Sequence, residues 1–261
     1  MAIRIATVLP ALVTLLLVAG NARAQDVADA TRGKVVYERY CILCHGEKGD
    51  GKGHYSEDTT PVPRDFRQGT FKWRMTPSGS LPTDADLEKV LVTGLYGTSM
   101  SSLATTLSHQ QRIDVVAYIK TFSPRFTNEK ADPPIPNAPE TPNTAASVER
   151  GETLYQVTLK CFQCHGATGN ADGPSAATLR DDKDQPIVPY NFRRGSRFKC
   201  GSTNQDLYRI FMTGLDGTPM PSFADYLKPD QAWDLVHYLR KLQADGKTKP
   251  DVALASASGS K

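Results

Sequence analysis

Cys41-Ile42-Leu43-Cys44-His45 returns 120 positions later as Cys161-Phe162-Gln163-Cys164-His165, inside a longer internal repeat. Gly33 and Tyr37 precede the first site as Gly151 and Tyr155 precede the second, with two extra residues between Tyr and Cys in the second copy. After the sites, Val62-Pro63-Arg64-Asp65-Phe66-Arg67-Gln68-Gly69 faces Val188-Pro189-Tyr190-Asn191-Phe192-Arg193-Arg194-Gly195 at an offset of 126, so the second copy carries six more residues there. The offset falls back to 120 for Thr83 to Met100 against Thr203 to Met220, and Asp114-Val115 and Tyr118 match Asp234-Leu235 and Tyr238. A chain built this way must fold as two copies of one small domain, with the insertions in loops.

Between the copies, Pro124 to Pro142 holds six prolines in 19 positions. Missing backbone donors deny this stretch both helix and sheet, so an extended, semi-rigid linker is expected over 123–146. It separates domains at 30–122 and 147–244. Residues 245–261, small, polar and aperiodic, read as a disordered tail. The expected fold class is all-α, with three main helices per domain and no strands. Thr31 to Cys41 runs into the first site. Thr83 with Asp86 forms a capping box for a helix that Gly94 ends, and Thr203 and Gly214 do the same. A last helix spans Ser108, with Gln111 three residues on, to Phe122, and its partner runs from Pro229 to Leu242.

Of 261 residues 39% are hydrophobic, and 31 basic residues face 28 acidic ones. That balance excludes a nucleic-acid binder, which needs concentrated positive charge. The apolar run Ile5 to Gly20, followed by Ala22-Arg23-Ala24, reads as a signal peptide over 1–24, too short for a membrane span and leaving none after cleavage. The expected location is the periplasm.

Export makes the cysteines informative, because thiols in an oxidising compartment ordinarily pair as disulfides. Two thiols three positions apart on one helical turn can instead add to the two vinyl groups at one porphyrin edge, with the next residue placing an imidazole under the iron. A thioredoxin-type dithiol would not use the histidine and needs a βαβ context; a zinc ribbon needs its second pair about 15–20 residues on, whereas 116 residues separate Cys44 from Cys161. The sequence therefore predicts two covalent haem c groups, held by Cys41, Cys44, Cys161 and Cys164, with His45 and His165 as iron ligands. Met100 and Met220 each lie 55 residues after their histidine in Gly-Thr-x-Met, and are expected as the sixth ligands. Met75 and Met212 are not repeated and read as core. His54, His109 and His237 align with Pro174, Pro229 and Ala117, which disfavours bis-histidine ligation.

These residues resemble class I c-type cytochromes, here as a fused di-haem protein, over nearly all of the chain apart from signal, linker and tail. The resemblance implies that first and last helices cross where Gly33 meets Tyr118 and Gly151 meets Tyr238. It also implies that a proline after the motif turns its carbonyl to the axial histidine; Pro174 stands there in the second copy and His54 in the first. Pro-Arg-Asp-Phe-Arg-x-Gly-x-Phe-Lys with Pro-Thr-Asp-x-Asp-Leu and Gly-Thr-x-Met is similar to cytochromes that accompany periplasmic molybdenum oxidoreductases and other respiratory complexes.

Arg64, Arg67, Lys72 and Arg74 cluster in the first domain, and Arg193, Arg194, Arg197 and Lys199 in the second. They read as solvated basic loops, as donors to haem propionates with Arg67 and Arg193 as the candidates, or as a dock for an acidic partner. Phe66 and Phe192 are expected on the porphyrin or in the core, and Trp73 and Trp233 in the core. Cys200 is an odd thiol: buried, paired between chains, or incidental. With both axial positions filled the iron has no room for substrate, so the expectation is an electron-transfer protein and not an enzyme, serving redox partner proteins such as a molybdenum-containing oxidoreductase or a terminal oxidase. A di-haem peroxidase-like enzyme and an assembly subunit of a larger complex are the alternatives.

Overall fold

A computed structural model describes residues 27–194, 197–199 and 201–248. The signal peptide, Cys200 and the tail beyond 248 lie outside them. Among the described residues the chain is helical without a strand, apart from one isolated bridge between Arg180 and Pro186. The first domain contains α1 (Ala30–Tyr40), α2 (Ile42–His45), α3 (Asp84–Thr93) and α4 (His109–Lys120). A one-turn helix, α5 (Arg125–Asn128), follows directly on Pro124, inside the stretch expected to hold no helix; proline is tolerated there because a first helical turn has no use for its N–H. The second domain contains α6 (Ala145–Thr153), α7 (Phe162–His165), α8 (Asn204–Thr213) and α9 (Pro229–Thr248).

The helix ends follow local chemistry. The capping boxes at Thr83 with Asp86, Ser108 with Gln111, and Thr203 with Asp206 are all formed, and Gly94 and Gly214 terminate α3 and α8 at positive φ. Asp29 caps α1, accepting from the amides of Thr31 and Arg32. Two boundaries differ from expectation. The two extra residues before Cys161 are absorbed in a π-turn, Leu154–Thr158, and a left-handed Lys160, so the helix widens instead of looping out. Helix α9 continues past Leu242 to Thr248, because Gly246 lets it pass the backbone of Arg193: a Cβ there would lie 2.3 Å from the Arg193 carbonyl oxygen.

Each domain is closed by the crossing of its first and last helices. A Cβ on Gly33 would lie 1.9 Å from the Asp114 carbonyl oxygen and 3.0 Å from Tyr118 Cβ; on Gly151, 2.1 Å from that of Asp234 and 2.8 Å from Tyr238 Cβ. Only glycine allows this approach, and an ion pair locks it. Arg32 donates two hydrogen bonds of 2.8 Å to Asp114, and Arg150 two of 2.7 Å to Asp234. Behind each crossing lies a separate core, built on Val36, Tyr37, Leu87, Leu91, Val115 and Ile119 in one domain and on Tyr155, Leu207, Phe211, Trp233, Leu235 and Leu239 in the other.

The linker lies against both domains. Ile135 donates its amide to the Met75 carbonyl and Asp132 to Ser80, while Arg209 donates to the Ile135 carbonyl and to Asn137. The domains also grip each other. Arg74, whose side chain has no solvent exposure, donates to Asp216 at 2.7 Å and to the Thr213 carbonyl at 2.9 Å, and Asp216 also accepts from Ser78 and the Gly79 amide. Lys89 on α3 pairs with Asp206 on α8. The second copy's insertion forms a loop whose Asp182 takes Arg64 and whose Lys183 donates to the Pro63 carbonyl. The acidic surface that Arg64 and Arg74 meet is therefore the other half of the same chain.

Candidate functional site

Each C-x-x-C-H occupies a single helical turn. The amides of Cys44 and His45 donate to the Cys41 carbonyl, those of Cys164 and His165 to Cys161, and Gly46 and Gly166 end the turn at φ 79° and 81°. The repeated tyrosines hold these ends: Tyr37 donates its hydroxyl to the Gly46 carbonyl and Tyr155 to Gly166, both at 2.7 Å.

The imidazoles are oriented by carbonyls. His45 Nδ1 lies 3.2 Å from the Arg64 oxygen and His165 Nδ1 3.0 Å from that of Tyr190. A carbonyl only accepts, so Nδ1 carries the proton and Nε2 keeps its lone pair. This corrects the role expected of Pro174: the acceptors come from the recurring Val-Pro segment further along the chain, in both copies alike. Phe66 and Phe192 stack on the same imidazoles at 4.3 and 4.6 Å between centroids. Burial pushes the His45 pKa down to about 4, keeping the ring neutral and able to coordinate.

The methionine loops are built identically. Thr98 donates its hydroxyl to the Leu95 carbonyl and accepts from the Met100 amide, while the Leu95 amide donates to the Met100 carbonyl; Thr218, Leu215 and Met220 repeat every contact. Gly97 and Gly217 turn at φ 73° and 76°. The Gly-Thr-x-Met pattern is thus a stapled turn that presents a thioether.

These pieces converge. Cys41, Cys44, His45 and Met100 line one cavity of about 270 Å³, walled by Leu87, Leu91, Leu103 and Ile119; Cys161, Cys164, His165 and Met220 line another of about 460 Å³, walled by Leu207, Phe211, Leu235 and Leu239. Two thiols, an imidazole and a thioether around an apolar slot are the donor set of a covalent haem. Trp73, expected only as core, is buried and also lines the first cavity, and its indole N–H has no acceptor among the described residues. A dithiol redox site does not fit, because burial pushes Cys41 and Cys161 up to about 12, away from reactive thiolate.

Arg67 and Arg193, the expected propionate donors, line neither cavity. Arg67 folds back on Asp65 in a two-pronged pair, and Arg193 donates to the Asp245 carbonyl on the extended α9. The basic residues that do line the cavities are Arg64 and Lys72 in the first, and Lys72, Lys160 and Lys199 in the second. His54, His109, His237, Met75 and Met212 line neither. His54 packs on Tyr55, His109 meets Glu88, His237 meets Ser147, and Met212 is buried in the second core. Trp233 stacks on Tyr208 in the core, as expected.

The cytochrome c family model matches residues 30–123 and again residues 148–243. The chain belongs to the cytochrome c family. Its two halves are cytochrome c domains, whose office is electron transfer, and its two Cys-x-x-Cys sites fit two haem c groups. A chain of the Kuenenia stuttgartiensis reducing HAO-like protein complex matches with a TM-score of 0.79 and 40% identity, covering 83% of this chain and 97% of that one. Quinohemoprotein alcohol dehydrogenase ADH-IIG of Pseudomonas putida is 30% identical over 156 residues, 58% of this chain and 19% of that enzyme. This chain therefore matches about a fifth of the length of that curated relative.

Proposed function

We propose that the protein is a periplasmic di-haem c-type cytochrome, passing electrons as a carrier or as the electron-transfer subunit of a respiratory oxidoreductase. The observation that carries this reading is that each half gathers two cysteines, a histidine and a methionine around one apolar cavity. Haem c bound there supplies a reversible one-electron iron couple. The protein's own part would be to hold it: Cys41 and Cys44, or Cys161 and Cys164, would anchor the ring, and His45 with Met100, or His165 with Met220, would ligate the iron. Arg64 and Tyr190 fix the imidazoles through their carbonyls, and the threonine staples hold the thioethers. An iron so ligated would have no place for substrate, which favours electron transfer over catalysis. The soft thioether favours the reduced iron, so both potentials should be high.

The partner that fits is an oxidoreductase, since one similar protein is an alcohol dehydrogenase and another sits in a HAO-like complex; a molybdenum-containing oxidoreductase or a terminal oxidase is the class suggested by the loop motifs. No helix among the described residues is long and apolar enough to cross a membrane. The test is the exported, purified protein: two haems per chain resisting acid-acetone extraction, and reduced spectra that stay six-coordinate under carbon monoxide. Rapid carbon monoxide binding with peroxide turnover would transfer the assignment to a peroxidase-like enzyme.

A further inference from the structure

The two cavities share a wall. Lys72 of the first domain lines both, and it is joined in the second cavity by Tyr96 and Gly97, from the loop that carries Met100. The second domain's site is thus completed by the first domain. The contact is held on both sides: the Tyr96 amide donates to the Lys199 carbonyl at 3.2 Å, Arg197 lies over the Tyr96 ring at 5.1 Å, and Asp216, which stands where Tyr96 stands in the other copy, receives Arg74. Lys72 is half-buried and lines both slots, so its charge is nearer to whatever occupies each of them, and less screened, than a charge at an open surface.

We propose that Lys72 is a positioning residue common to both redox centres, a single cation that stabilises the reduced form of each and so ties their potentials together. This rests on the two-haem reading above. A positive charge beside an iron porphyrin favours the state with one more electron; removing it must lower both potentials, whereas a residue belonging to one domain would lower one.

The experiment is a spectroscopic redox titration of the full-length, haem-loaded protein, comparing the parent with Lys72→Met, Lys72→Arg and, as a baseline for loss of a remote charge, Lys34→Gln. The expected result is a downward shift of both midpoints in Lys72→Met, larger than in Lys34→Gln, and parental midpoints in Lys72→Arg. A shift of one midpoint only, no shift beyond the baseline, or the same shift in Lys72→Arg would overturn the proposal. Pyridine haemochrome spectra of the same samples read the haem count independently: fewer than two covalent haems in the parent would defeat the two-haem reading itself, whatever the midpoints do.

Discussion

Arg64 reaches across the domain boundary to Asp182 at 2.5 Å, while its own carbonyl oxygen receives the Nδ1 proton of His45. One residue thus joins the second copy's insertion to the motif histidine of the first. Asp182→Asn should leave the haem content unchanged but loosen that backbone, and Arg64→Ala should do the same. Potentiometry checks this: each variant moves the first domain's midpoint, and the double variant departs from the sum of the two single shifts because the two side chains act as one unit.

The buried Arg74 guanidinium depends on Asp216 for its counter-charge. Asp216→Ala removes its ion-pair partner and should cost about 3 kcal/mol, the usual range for breaking a buried pair. Because the contact spans the domain boundary, calorimetry should show the loss as a separation of one melting transition into two. A single transition at the parental temperature would show the contact to be energetically idle.

Met100→Leu and Met220→Leu should each remove about half of the red-end thioether-to-iron absorption and lower one potential. Thr98→Val and Thr218→Val keep the ligand but remove the hydroxyl that staples it. In those variants the same band should persist at rest and bleach at lower urea concentration than in the parent. If all four variants keep the band under all conditions, the methionines are not the ligands.

Gly33→Ala and Gly151→Ala each drive a methyl group into the facing carbonyl, at 1.9 and 2.1 Å. Helix crossings this close have no slack, so each should lose at least about 2 kcal/mol by urea denaturation. Gly79→Ala, where nothing lies within 4 Å, isolates the strain of its positive φ alone and should lose less.

Asp114 gives a pH signature. Burial works against its ionisation, but Arg32, the Asp29 amide and Gln110 outweigh burial and hold the carboxyl below its ordinary value of 3.8. A depressed folded pKa contributes stability that is complete above the unfolded value and lost as pH falls through the folded one. Urea midpoints should therefore be flat in this respect above about pH 4 and decline below it, and Asp114→Asn should be less stable at neutral pH with a shallower acid decline. An unchanged acid profile in the variant would remove Asp114 from the account.

The convergence of Cys41, Cys44, His45 and Met100 on one cavity and most helix ends were legible because their chemistry is local. A capping box such as Thr83 with Asp86 needs only neighbours three apart, and Cys41 to His45 carries its meaning in its spacing. Side-chain pairing was not legible. Nothing in the sequence marked Asp65 as the partner of Arg67, two residues later, and Arg64 and Arg74 looked like a docking face before the other domain was seen to fill it. The carbonyls of Arg64 and Tyr190 have no residue-type signal at all, since every residue owns one; only the recurrence of the Val-Pro segment marked the place. Trp73 is unrepeated, and nothing in one copy alone distinguishes a core indole from one that also walls a cavity.

The linker, pinned to Met75 and Ser80 on one side and to Arg209 on the other, leaves the halves nothing to search for. On the proposed two-haem reading, exchange of an electron between them would run over a fixed gap and not over an encounter, so glycerol should slow delivery by an outside donor while leaving the internal step as it was.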